Sequence, residues 1–132
     1  MKVISSRAHT IIGLVVGIVL ILAPWIFQFS NVKSAKTSAI ILGAIAALSE
    51  LTTTSPISPM KIIPMRAHLG MDVILGLVLG LSPWLFGFSD KSLNVWLPHL
   101  IVGILIILYA LMTRTNDAIV KRPIANPARH SN

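Results

Sequence analysis

Three ionisable side chains stand out in this sequence, because each lies in or beside a stretch of otherwise apolar residues. Asp72 follows His68 by four residues, a spacing that places both side chains on one face of a helix. Glu50 lies at the end of a different apolar stretch. Ionisable groups inside a membrane are candidates for function, since burying them is costly. His68 and Asp72 are therefore a candidate proton-accepting pair, and Glu50 is a candidate ligand for a transported cation.

Each of these residues also has a purely structural interpretation. Asp72 lies near the start of its helix, where the helix dipole favours a carboxylate and cytoplasmic water can reach it. Glu50 lies near the predicted cytoplasmic end of its helix, on the same side as Arg66 and Arg7, and it can pair with either of them. For both acids the structural interpretation is the favoured one.

The sequence gives little support for a metal site or an active site. His9 and His68 each follow an Arg-Ala pair, but a metal usually recruits more ligands than two histidines. The chain has no cysteine, which excludes disulfides, thiolate ligands and cysteine nucleophiles. Ser82 has only His99 as a candidate base in its half of the membrane, and the sequence does not place the two together. We therefore predict no enzyme, no catalytic residue, no metal and no cofactor.

These side chains belong to segments that the composition predicts to be membrane helices. The chain has 132 residues, of which 55% are hydrophobic and 11% are charged, with a mean hydropathy of +0.83. A soluble domain has roughly 25% charged residues. A helix of about 20 residues crosses the hydrocarbon core of a bilayer. We predict an all-α membrane protein with four transmembrane helices, whose apolar runs cover residues 10–29, 39–49 (to about 54 with Glu50), 69–88 and 95–112.

The four helices are two copies of a two-helix unit. Residues 7–9 and 66–68 both read Arg-Ala-His, and residues 23–30 return 59 positions later as residues 82–89. The second helices match at an offset of 60. Because each unit crosses the membrane twice, both copies start on the same side. We predict parallel repeats related by a pseudo-two-fold axis along the membrane normal.

These observations predict four segments along the chain. The first two-helix repeat, with its N-terminal segment, covers residues 1–54. A cytoplasmic linker covers 55–65, the second repeat covers 66–112, and a basic flexible tail covers 113–132.

A Pro-Trp motif lies near the end of the first helix of each repeat. Each proline removes a backbone donor and frees the carbonyl four residues earlier, which here belongs to Leu20 and Leu79. In lipid such a carbonyl needs another partner. The hydroxyl of Ser82 can supply one, whereas Ala23 cannot. We expect a kink or a broken last turn at each motif, which consists of Ala23, Pro24 and Trp25 in the first repeat and Ser82, Pro83 and Trp84 in the second.

The Ser-Pro-Trp motif, the repeat and the hydropathy together resemble the SPW repeat family of small bacterial membrane proteins. The resemblance covers about residues 7–112, and the first copy departs from it with Ala23 in place of serine. It implies the fold and the membrane location. It implies no catalytic residue and no settled activity.

Small residues at a spacing of four predict the helix contacts of the bundle. Helices in lipid associate through such positions because their backbones can approach closely there. Homodimerisation through one of these faces is an open alternative. The candidate packing residues are Gly13, Gly17, Gly43, Gly76, Gly80 and Gly103.

Basic residues predict how the chain is oriented. With the N-terminus in the cytoplasm, eight of the eleven basic residues lie inside and three outside, as the positive-inside rule requires. We therefore predict a multi-pass protein of the bacterial cytoplasmic (inner) membrane with both termini in the cytoplasm. The net charge of +7 comes from these short basic segments, so nucleic acid is not a predicted partner.

The same orientation places every Trp and Phe in the outer half of the membrane. An aromatic belt at the interface is the favoured interpretation, and a docking surface for a partner is the alternative. His99 is expected to be an interfacial residue at this end.

The sequence does not specify one biological role. A small membrane protein that assists, stabilises or assembles with others is the favoured hypothesis. The alternative is an oligomeric transporter or ion path that uses Glu50 and Asp72. The predicted partners are the lipid bilayer and, as open alternatives, a second copy of the chain or another membrane protein.

Overall fold

The computed structural model describes residues 2–115 and contains four α-helices in that range. They are α1 (Ser6–Ile26), α2 (Lys33–Thr52), α3 (Met65–Leu85) and α4 (Leu93–Met112). All four are long and apolar enough to cross a membrane, and residues 2–115 contain no strand beyond isolated bridges. The prediction of an all-α protein with four transmembrane helices is confirmed. Most of the predicted flexible tail, residues 116–132, lies outside the described residues.

The ends of the helices do not coincide with the ends of the apolar runs in the sequence. α1 begins at Ser6 because the side chain of Ser5 accepts a hydrogen bond from the backbone N–H of Ala8. α2 begins at Lys33, six residues before its apolar centre. The backbone does not require apolar side chains to form a helix, so polar flanking turns extend the spans.

α1 and α3 both end two residues after the proline of the Pro-Trp motif. In each case the next turn is tight, and a residue with positive φ follows, Gln28 at 58° and Gly87 at 71°. The expected broken last turn is therefore a helix end at Ile26 and at Leu85.

Within each repeat the two helices pack with their backbones close together. A Cβ added to Gly43 would lie 2.8 Å from the carbonyl oxygen of Gly17, across the α1–α2 contact. A Cβ added to Gly76 would lie 2.7 Å from the carbonyl oxygen of Gly103, across the α3–α4 contact. Gly80 is looser, since its nearest neighbours would be 3.9 Å away.

The two repeats meet at both ends of the bundle. His9 near the start of α1 contacts His68 near the start of α3, with 3.3 Å between their Nε2 atoms. At the opposite end, Phe29 and Phe88 both pack against the ring of His99. Equivalent ends of α1 and α3 therefore lie together. The full two-fold relation of the repeats and the segment boundaries stay predictions.

Isolated β-bridges join the segments that flank the helices, at equivalent positions of the two repeats. Ile4 bridges Thr113, and Ile63 bridges Thr53. The offsets of 59 and 60 relate Ile4 to Ile63 and Thr53 to Thr113. The segment before each first helix is thus joined to the segment after a second helix.

Two aromatic residues and one histidine do not lie where the aromatic-belt interpretation placed them. Phe29 and Phe88 are fully buried in the core at their end of the bundle. His99 is buried as well, with Nδ1 2.9 Å from the Val95 carbonyl oxygen and Nε2 3.1 Å from that of Ala35. The expectation of an interfacial His99 is therefore wrong. The hydropathy of the outer half does not reveal which aromatic side chains point inward.

Candidate functional site

Four ionisable side chains meet inside the bundle and form what we call the His-carboxylate centre: His9, Glu50, His68 and Asp72. Their exposed fractions are 0%, 1%, 0% and 2%, so none of them reaches the surface. His9 comes from α1, Glu50 from α2, and His68 and Asp72 from α3. The first repeat therefore supplies one histidine and one carboxylate, and the second repeat supplies the same pair.

One atom of each side chain points to a common point. His9 Nε2 lies 2.9 Å from Asp72 Oδ2 and 3.4 Å from Glu50 Oε1. His68 Nε2 lies 3.1 Å from Glu50 Oε1 and 3.3 Å from Asp72 Oδ2. With the 3.3 Å between the two Nε2 atoms, five of the six pairwise distances fall between 2.9 and 3.4 Å.

The local sequence of each repeat makes room for one acid. A Cβ added to Gly13 would overlap the carboxylate of Glu50, so the glycine leaves the space that this side chain fills. In the second repeat the position of Gly13 is occupied by Asp72, and the position of Glu50 is occupied by the small Ala110. In the first repeat the acid is on the second helix and the small residue is on the first. In the second repeat the acid is on the first helix and the small residue is on the second.

A hydroxyl from the end of α4 orients the ring of His9. The Oγ1 of Thr113 donates a hydrogen bond to the Tyr109 carbonyl oxygen at 2.6 Å. Its only hydrogen is used there, so at 2.7 Å it accepts one from His9 Nδ1. Nδ1 of His9 therefore carries a hydrogen, and Nε2 points toward the centre.

Two buried atoms of the centre have no hydrogen-bond partner among the described residues. They are Oε2 of Glu50 and Nδ1 of His68. Thr53 occupies the position equivalent to Thr113, but its hydroxyl donates to Met65 Sδ at 3.7 Å instead of bonding to His68. Burying an unpaired polar atom is unfavourable, and more so for a charged group.

The structure corrects the structural interpretation of both acids. Asp72 is not wetted at the helix start but is buried against His9 and His68. Glu50 is buried with Oε1 against these same two histidines, at 3.4 Å from His9 Nε2 and 3.1 Å from His68 Nε2. Helix-start position and charge pairing alone did not indicate the direction in which these side chains point.

Sequence reasoning placed His68, Asp72 and Glu50 among the candidates and left His9 out of the set. The signal that identifies His9 is the repeat itself, since it is the counterpart of His68. The two acids do not follow the repeat, since Asp72 matches Gly13 and Glu50 matches Ala110. In the structure they reach the same point from positions that are not equivalent.

The Pro-Trp motif lies at the other end of the bundle and takes no part in the centre. Ser82 Oγ donates to the Leu79 carbonyl oxygen at 2.6 Å, as expected for the carbonyl that Pro83 leaves free. Trp25 and Trp84 are each 55% exposed. The motif residues thus shape the helix ends and present tryptophan on the outside of the bundle.

Within residues 2–115, cavities beside the helices include two that bear on these residues. One of 230 Å³ lies between α2 and α3 and touches Asp72, with Ser49 as its other polar residue and aliphatic side chains around the rest. The other, of 590 Å³, lies between the end of α1 and α4, near Phe27 and Asn94. Only the first reaches the His-carboxylate centre.

Comparison with known proteins gives one match. The family model described as the SPW repeat domain matches residues 7–113. Neither a curated protein nor a solved structure matches the chain.

Proposed function

We propose a structural role in the membrane for this chain, which belongs to the SPW repeat family. In this proposal it is a non-enzymatic, multi-pass protein of the bacterial inner membrane that assists or assembles with other membrane proteins. The observation that supports it best is the His-carboxylate centre, which joins three helices and both repeats in a buried position. A bundle joined in this way presents a fixed outer surface to its neighbours.

The outer surface fits such a role because it is apolar and rich in large side chains. Exposed isoleucine, leucine and valine residues occur along all four helices, as expected for contact with lipid. The two exposed tryptophans lie at the end opposite to the centre. Tryptophan is enriched both at membrane interfaces and at protein contacts, so this end is the proposed contact region.

The contacts of Ser82 and His99 support the non-enzymatic part of the proposal. Ser82 donates to a backbone carbonyl of its own helix, and His99 lies against two other backbone carbonyls and Ser38. A serine nucleophile needs a base within hydrogen-bonding distance, and these two side chains do not hydrogen-bond to each other.

The mass of the intact complex tests this role. The full-length tagged protein is extracted gently into lipid nanodiscs and weighed by native mass spectrometry. A defined second polypeptide at fixed stoichiometry supports the accessory role. A monomer without any partner, in combination with no crosslinked protein in cells, contradicts it.

An ion path is the second candidate, because the 230 Å³ cavity between α2 and α3 reaches Asp72. Its aliphatic lining does not favour a hydrated ion, which is why this candidate ranks second. Vesicles that contain the protein should then pass protons, Na⁺ or K⁺ faster than empty vesicles. Asp72→Asn and Glu50→Gln should abolish that flux, while Asp90→Asn, an exposed acid outside the centre, should leave it unchanged. Flux equal to that of empty vesicles rules out the path.

A further inference from the structure

We propose that the His-carboxylate centre is a binding site for one divalent transition-metal ion, with zinc as its best-fitting occupant. The ligand atoms are Nε2 of His9, Nε2 of His68, Oε1 of Glu50 and Oδ2 of Asp72. The site goes beyond the structural role proposed above and does not depend on it.

Five of the six distances between the ligand atoms are close to the edges of a tetrahedron of ligands around zinc. Zinc binds histidine nitrogen and carboxylate oxygen at about 2.0–2.2 Å, so the edges of a regular tetrahedron of ligands are about 3.3–3.6 Å. Five of the six pairs measure 2.9 to 3.4 Å, and all four atoms lie within 4.8 Å of one another. A small outward movement of the side chains brings them to bonding distance of a central ion.

The position of the hydrogen on the His9 ring also favours a cation in the centre. Because the hydrogen of the His9 ring is on Nδ1, a neutral His9 has a lone pair on Nε2. That lone pair lies 2.9 Å from a carboxylate oxygen of Asp72, which has no hydrogen to offer when ionised. Two electron pairs at this distance repel each other unless a positive charge lies between them.

Protons are a poorer solution than a metal ion. If both histidines carried a hydrogen on Nε2, two N–H groups would point at each other across 3.3 Å. One divalent ion removes this repulsion and balances the two carboxylate charges, leaving a neutral buried site. Buried charges are tolerated only when they are compensated in this way.

The surroundings of His9 have the form found around metal-binding histidines. Such a histidine usually donates its other ring N–H to a carbonyl, carboxylate or hydroxyl, which holds the ring in place. Thr113 plays this part for His9. Glu50 Oε2 is buried and has no hydrogen-bond partner among the described residues. The positive charge of a bound ion would stabilise this oxygen.

The ligand set selects the class of metal. Imidazole nitrogen favours zinc and its neighbours in the first transition series, whereas calcium and magnesium prefer all-oxygen sites with six or more ligands. A mixed set of two nitrogens and two oxygens in four-coordinate geometry therefore favours zinc.

Metal content and coordination geometry of the full-length protein test the proposal. The protein carries a tag without histidine, is stripped with a chelator and is then incubated with Zn²⁺ before removal of free metal. We expect one zinc per chain by elemental analysis. With Co²⁺ as a probe we expect the visible spectrum of a tetrahedral site.

Variants separate the site from non-specific binding. Asp72→Asn and Glu50→Gln remove one ligand each and should weaken zinc binding by more than about 100-fold. Thr113→Val removes only the group that orients His9 and should weaken it by about 10- to 100-fold. The matched acid-to-amide control, Asp90→Asn, is exposed and should bind zinc like the wild-type protein.

Three results would overturn the proposal. They are wild-type protein that retains no zinc, an octahedral Co²⁺ spectrum, and unchanged zinc binding in Asp72→Asn. The wild-type measurements keep the test decisive even when a ligand variant does not fold.

Discussion

At the scale of single residues, the hydroxyl of Ser82 solves a problem that proline creates in lipid. Pro83 has no N–H, so the Leu79 carbonyl four residues earlier loses its helical donor. Water is absent from the hydrocarbon core, and an unpaired carbonyl there is costly. Ser82 lies next to the proline and donates to this carbonyl at 2.6 Å. The serine of the motif thus has a physical role apart from any chemistry.

Removing this hydroxyl should destabilise the protein by a small, measurable amount. We expect Ser82→Ala to lower the free energy of unfolding by about 0.5–2 kcal/mol, since a buried carbonyl loses its donor. Reversible unfolding in detergent measures the change. Ser92→Ala is the control, because Ser92 is exposed and its hydroxyl donates to Asn94 Oδ1. Equal effects of the two substitutions would contradict this role for Ser82.

At the scale of helices, close backbone contact holds each repeat together. Gly103 is the tightest of these positions, because a Cβ there would lie 2.5 Å from the Gly80 nitrogen and 2.6 Å from the Gly76 oxygen. Both are backbone atoms, so the helices themselves must move to accept a methyl group. Packing of this kind stabilises helix pairs in lipid, where the hydrophobic effect contributes little.

Alanine substitutions should therefore change the free energy of unfolding differently at two glycines that face each other, Gly103 and Gly80. Gly103→Ala should lower the free energy of unfolding by about 1–3 kcal/mol, since α3 and α4 are forced apart. Gly80→Ala should have little effect or stabilise by up to about 1 kcal/mol, because its Cβ meets only ordinary contacts and alanine favours the helix. The measurement is again unfolding in detergent, followed by circular dichroism. A neutral Gly103→Ala would show that α3 and α4 are free to separate.

For the molecule as a whole, the centre lies toward the end of the bundle that also carries Arg7, Lys61 and Arg66. His9 and His68 are near the starts of α1 and α3, and Glu50 is near the end of α2. The linker between the repeats folds over this end, where Ser58 donates to the Glu50 carbonyl at 2.7 Å. The charge distribution predicts that this side faces the cytoplasm.

Single cysteines can test that orientation, because the natural chain has none. In intact cells, a membrane-impermeant maleimide should label Lys33→Cys at the start of α2 and Lys91→Cys in the loop before α4, both on the opposite side. Lys61→Cys in the linker should react only after the membrane is permeabilised. Labelling of Lys61→Cys in intact cells would reverse the orientation.

The amino-acid sequence was sufficient to predict the four apolar helices, the repeat and the ionisable residues within the apolar runs. Hydropathy sets which segments are stable in lipid, and the constant offset identifies equivalent positions such as His9 and His68. It also indicated that Ser82, and not Ala23, has a hydroxyl to offer the freed carbonyl. These features depend on local properties of the chain.

The place where the buried polar side chains meet depends on how the helices pack, which the sequence does not specify. Helix rotation and crossing place Glu50 of α2 beside Asp72 of α3, although the two positions are not equivalent in the repeat. The same packing of the helices places Phe29 and Phe88 in the interior, against the ring of His99. Mean hydropathy does not specify the direction in which a side chain points around a helix, because weakly amphipathic helices in lipid are apolar on every face.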